Sequence, residues 1–177
     1  LTAVVVLFVR KPELRGAYQM LFQEHRTVKT YECLAPLAPV VRPRYGTVTR
    51  IDRNQPFPLV RRSHIAKDRG RLQAYEIPAA VNAESLIERG DNPRIIDGNV
   101  AINYVLHPKT GKTHQLRVHM NSLGLPILGD AFYPDVIQRP YDDFSRPVEL
   151  VARRLEFDDP VTGESRAFVS NALLGDA

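Results

Sequence analysis

The sequence predicts an α+β fold, a single domain with a mixed, mainly antiparallel sheet flanked by helices. Strand-like apolar runs alternate with two helical patterns, and residues 148–170 read as a terminal hairpin. No internal repeat or low-complexity segment interrupts that order. A chain of 177 residues is long enough to bury a core of its own.

Residues 3–9, Ala-Val-Val-Val-Leu-Phe-Val, form a short continuous apolar run and read as a buried central strand. Pro12 suits the first turn of a helix. Leu14, Ala17, Tyr18, Leu21 and Phe22 then recur on one helical face that ends near His25. Residues 27–35 return to β-formers and read as a strand. Residues 36–71, punctuated by Pro36, Pro39, Pro43, Pro56 and Pro58, read as a long irregular basic excursion with one strand at 46–51. Residues 99–107 alternate, with Val100, Ile102, Tyr104 and Leu106 on one face of a strand. Residues 108–112 form a turn. Thr113 can cap a helix faced by Leu116, Met120 and Leu123, and Gly124 stops it. Strands at 148–157 and 165–170 flank the turn at 158–163. The chain begins on Leu1, inside an apolar pattern, so residues 1–177 are expected to be a domain incomplete at its N-terminus.

The longest apolar run, Val4 to Val9, is far short of the ~20 residues of a membrane span, and no basic segment precedes it as in a secretory signal. Cys33 is the single cysteine, which leaves no intrachain disulfide and no multi-cysteine zinc site and suits a reducing, cytoplasmic setting.

Charge is unevenly placed. Residues 1–71 carry 14 basic and 5 acidic side chains, whereas 72–177 carry 10 and 15. Nine basic residues fall between Arg42 and Arg71, and a field of that sign attracts phosphates. A nucleic-acid surface that includes Arg61 and Arg62, or a solvated basic loop, would explain it. Asp52, flanked by arginines, reads as a charge-balanced loop residue.

The segment from His107 to Met120 is the richest in chemistry. Its Gly-Lys-Thr lacks the earlier glycine of a phosphate loop, since position 107 is His. His114 and His119 are five apart, not the three or four that place two metal ligands on one helical face. They cap, pack or bond to RNA. Arg117 is either an exposed helical arginine or a guanidinium at a cleft edge, offering its planar fork to a carboxylate or phosphate. Tyr31 is either a core tyrosine or an aromatic face for an unstacked base.

Taken in order, these segments resemble the RluA-type RNA pseudouridine synthases. Phe8-Val9-Arg10-Lys11-Pro12-Glu13 followed by Lys29-Thr30-Tyr31 resembles the family's second block. Residues 108–119, Pro-Lys-Thr-Gly-Lys-Thr-His-Gln-Leu-Arg-Val-His, resemble its third, continued by Gly124-Leu125-Pro126-Ile127-Leu128-Gly129-Asp130 and the turn 159–164. The resemblance implies a catalytic domain that isomerises uridine in rRNA or tRNA to pseudouridine, as a monomer and without metal or organic cofactor. It makes Tyr31 the residue that stacks on the uracil and Arg117 the partner of the catalytic Asp. Lys29, Lys112, Thr113, His114 and Gln115 would lie near the RNA backbone. The family's first block, Arg-Leu-Asp-x-x-Thr-[Ser/Ala]-Gly, matches only its tail at Leu1-Thr2-Ala3, with Val4 in place of Gly. Its Asp would therefore lie two residues upstream of Leu1, and Arg117 is expected to lack that partner within this chain. A non-catalytic RNA-binding protein on the same scaffold is the alternative.

Overall fold

The computed structural model describes residues 5–140, 143 and 145–175. A nine-stranded sheet is its frame. β1 (Val28–Pro36) pairs with β7 (Asn99–Pro108) on one side and β8 (Leu150–Asp158) on the other. Beyond β7 lie β5 (Ala83–Arg89), β3 (Leu59–Ala66) and β2 (Thr47–Arg50). Beyond β8 lies β9 (Ser165–Val169); the short β4 (Tyr75–Ile77) adds to β3 and β6 (Arg94–Ile96) to β7. Every pairing among the described residues is antiparallel, so the expected mixed character is absent there.

The α+β expectation holds because the periodic segments fold as their patterns require. A 3-10 turn at Pro12–Leu14 leads into α1 (Arg15–Gln23), whose Leu21 packs on Leu155 and Phe157. The second helix, α2 (Gln115–Ser122), lies on the opposite end of the sheet, over β3, β5 and β7. Its Leu116 and Met120, with Leu123 just beyond, meet Cys33, Leu59, Ile87, Tyr104 and Leu106 in the main core. Strand alternation sends Leu34 and Val151 to the other face, against Leu174.

Three expectations need correction. Residues 5–9 form no strand, and Val6 and Phe8 are exposed. Val5 and Leu7 pack on the cluster beneath α1, while both edges of the central strand β1 are already taken by β7 and β8. Residues 1–4, which include the match to the first block's tail, lie outside the described residues. The span 36–71 is not one irregular excursion, because β3 crosses it with Leu59, Arg61, Ser63 and Ile65 buried in alternation. Polar side chains at two of those four inward positions hide the period. Finally, α2 is preceded by His114 in a left-handed conformation (φ 54°), not capped by Thr113.

Candidate active site

Arg117 projects from the first turns of α2 onto Asp130. Nε donates to Oδ2 at 2.8 Å and Nη2 to Oδ1 at 2.6 Å, the two-pronged geometry a guanidinium offers a carboxylate. Asp130 Oδ1 also accepts the backbone N–H groups of Phe132 and Tyr133, and its side chain is buried. The preceding Gly129 has φ +71°, and a Cβ there would lie 1.8 Å from the Pro147 carbonyl, so only glycine lets the chain deliver Asp130. The guanidinium sits over Phe132 and Tyr133, 4.8 and 5.3 Å from their ring centres. Arg117 is therefore not without a carboxylate in this chain. Nη1 carries no hydrogen bond among the described residues.

Tyr31 faces the same side of the sheet as α2. It pairs with Leu106 and packs on the core cluster that contains Leu116, the neighbour of Arg117. Half-burial raises the pKa of its phenol, whose hydroxyl makes no hydrogen bond among the described residues. Lys29, two residues earlier, reaches the turn before α2; its Nζ lies 3.9 Å from where a Cβ on Gly111 would stand. Burial lowers the pKa of that ammonium.

In the turn itself Lys112 and Thr113 are exposed. His114 is half-buried, with Nδ1 3.1 Å from the Tyr133 hydroxyl, and burial followed by the charge of Arg117 lowers its pKa. Gln115 is not available to RNA. Its amide is buried and spends its hydrogen bonds on Thr110, Lys112, Glu84 and Ser85.

Arg61 also needs correction as an RNA contact. It is fully buried beneath α2; Nη2 meets both Glu76 oxygens at 2.6 and 2.7 Å, Nε donates to Ser122, and three backbone carbonyls take its remaining protons. Burial raises the pKa of Glu76 and Arg61 opposes it. Gly46, at φ +75°, lets the backbone pass this guanidinium, because a Cβ there would lie 2.6 Å from Nη1. Arg62 is half-exposed but shares Glu84 with Lys109. Of the basic residues left exposed, Arg42, Arg50 and Arg53 line an open groove of about 770 Å³ with Val40, Thr47 and Val48. Asp52 accepts the N–H of Asn54 in an exposed turn, the loop role expected of it.

Sequence reasoning missed Asp130 as the partner of Arg117, although the Gly-Asp pair stood in a motif already singled out. It also missed Glu76, Ser63 and Ser85, for which spacing offers no signal. No group of three His, Cys, Asp or Glu side chains able to hold a metal occurs among the described residues, and no helix there is long and apolar enough to cross a membrane.

No family model matches the chain. An "Uncharacterized RNA pseudouridine synthase" of Haemophilus influenzae is 30% identical over 167 residues, covering 89% of this chain and 59% of the relative. The "Dual-specificity RNA pseudouridine synthase RluA" of the same organism is 45% identical over 64 residues, 36% of this chain and 27% of that protein. Among solved structures, "Human RNA Pseudouridylate Synthase Domain Containing 1" superposes with a TM-score of 0.57 at 22% identity, over 92% of this chain and 62% of that one.

This chain is similar to RNA pseudouridine synthases, RluA among them. It spans 59% of the length of the first of these relatives, and its fold is that of a pseudouridylate synthase domain. In pseudouridine synthase terms, Tyr31 and Arg117 stand on β1 and on the helix laid over the same sheet face, with Lys112 in the turn between β7 and that helix and Lys29 beside it. Such an arrangement can hold an aromatic base against Tyr31, offer an anion the Nη1 edge of Arg117 that is unbonded among the described residues, and meet phosphates at the turn.

Proposed function

We propose that the full protein isomerises uridine in RNA to pseudouridine and that this chain carries most of its catalytic domain. The observation that carries the reading is the guanidinium of Arg117, held at one edge by Asp130 and with Nη1 unbonded among the described residues. A carboxylate placed against Nη1 stays ionised, as a nucleophile or a stabiliser of positive sugar character must. By the family resemblance that carboxylate belongs to the block whose tail matches Leu1-Thr2-Ala3.

In the reaction the target uridine leaves its stack and the C1′–N1 bond breaks. The uracil turns, a C1′–C5 bond forms, and the proton lost from C5 is balanced by one gained at N1. Product and substrate are isomers, so no redox partner is consumed. The face of Tyr31 suits this step, because stacking tolerates rotation of the base where a fixed set of hydrogen bonds would resist it. Lys29, Lys112 and Thr113 would meet the flanking phosphates, and Arg42, Arg50 and Arg53 would extend the track along their groove. The RNA is rRNA or tRNA, met in the cytoplasm by a monomer.

The test is incubation of the full-length protein with rRNA and tRNA from cells that lack it, followed by mass spectrometry of the nucleosides. New pseudouridine that vanishes with Arg117→Ala is expected. Its absence with folded, full-length protein on both RNA classes would overturn the reading.

A further inference from the structure

Gln115 has the orientation of its amide fixed by backbone groups whose roles are not in doubt. Oε1 accepts the N–H of Lys112 at 3.1 Å and the hydroxyl of Thr110 at 2.7 Å. Nε2 donates to the Glu84 carbonyl and to Ser85 Oγ, both at 2.9 Å. Thr110 Oγ1 in turn accepts the N–H of Glu84 at 2.9 Å. The turn between β7 and α2 is thereby tied to β5 through one side chain.

The chain of bonds continues under the helix. Ser85 Oγ lies 3.0 Å from His119 Nδ1, and His119 Nε2 lies 3.1 Å from Ser63 Oγ. Ser63 stands on β3 two residues from Arg61, whose guanidinium holds Glu76. One run of buried contacts thus joins Gln115 on α2 to β5 at Ser85 and, through His119, to β3 at Ser63.

We propose that Gln115 is a positioning residue, anchored on β5 through Glu84 and Ser85 and linked by His119 to Ser63 of β3, that sets residues 109–113 in the conformation presenting Lys112 and Thr113 to RNA. The RNA partner rests on the function proposed above; the positioning does not. Gln115 contributes by holding the backbone of the turn and touches no substrate. Without it the turn keeps its charges but loses the arrangement that spares RNA the cost of ordering it.

Gln115→Met keeps length and packing but removes all four hydrogen bonds. In the full-length protein, hydrogen exchange at the Lys112 amide is expected to quicken about tenfold or more, while amides of β1 and β7 keep their protection. On RNA, kcat/KM is expected to fall about tenfold, chiefly through KM. Unchanged exchange at Lys112 in the folded variant would overturn the positioning role. Faster exchange with KM unaltered would overturn its connection to RNA. If the variant loses protection in β1 and β7 as well, Ser85→Ala, which cuts the chain one link behind Gln115, replaces it with the same two readouts and the same overturning results. An inactive wild-type protein would defeat the proposed function and leave the exchange result to decide this inference.

Discussion

Arg117 and Asp130 form a two-bond ion pair, Nε to Oδ2 at 2.8 Å and Nη2 to Oδ1 at 2.6 Å, in which the carboxylate is buried and Nη1 has no hydrogen-bond partner among the described residues. A buried carboxylate with two guanidinium bonds and two amide donors fixes the orientation of Arg117.

Asp130→Ala leaves Arg117 and the amides of Phe132 and Tyr133 without their acceptor, at an expected cost of about 3–5 kcal/mol. Asp130→Asn retains an oxygen for those amides and should cost about 1–3 kcal/mol. Urea unfolding of both variants measures the difference. Equal losses would mean that the charge contributes nothing.

Arg117→Ala acts on chemistry more than on binding. Pseudouridine formation by the full-length protein should fall about 100-fold or more, since one donor aimed at developing charge has that order of effect. RNA affinity should change by less than about threefold, because many phosphate contacts remain. Single-turnover rates and filter binding check the two halves.

Tyr31→Phe keeps the stacking face, so RNA affinity should stay within about twofold and any loss of rate reports on the hydroxyl. Tyr31→Ala removes the face as well, worth about 1–3 kcal/mol of binding. If both variants bind alike, Tyr31 is a core residue and not a base platform.

Salt dependence separates the arginines. Replacing Arg42, Arg50 and Arg53 with Gln should flatten the plot of log affinity against log salt by about 0.7–0.9 per lost phosphate contact. Arg61→Gln should instead unfold the protein more easily, by about 3–5 kcal/mol, because it strands Glu76 beneath α2. Arg61→Glu would set two carboxylates together there. An unchanged salt slope for the triple variant would reduce the groove to a solvated loop.

His119 is buried, and desolvation followed by the nearby charge of Arg61 pulls its pKa down to about 3. The unfolded chain, with an ordinary histidine near 6.5, binds the proton first as pH falls. Stability tied to this residue is therefore complete above about 6.5 and is lost progressively toward about 3, with a slope of at most ~1.4 kcal/mol per pH unit. His119→Gln should remove that component between pH 6 and 5, as measured by urea unfolding at each pH. An identical pH profile would show that His119 takes up its proton in the folded state.

The sequence alone determined α1, β1, β7, α2 and the β8–β9 hairpin, because each carries a period of 3.6 or 2 in its own apolar residues, and local spacing is all such a period needs. The motifs of residues 108–119 and 124–130 are contiguous runs and so were readable as a family resemblance, which is also what singled out Tyr31 and Arg117 where spacing left each with two readings. Only the tertiary structure decided the rest. Residues 5–9 are apolar enough for a central strand, yet whether they are one depends on which edges other strands have already taken. Arg61 and Arg53 are the same residue type in one basic run; Glu76 and Ser122, distant in sequence, draw the first inward, while the second lines an open groove. Gln115 looked like a contact for RNA until β5 brought Glu84 and Ser85 to it, and Arg117 looked unpartnered until Gly129 turned Asp130 toward it. Burial of a polar side chain is settled by partners that only the folded chain supplies, because an unpaired charge or amide cannot leave water without them.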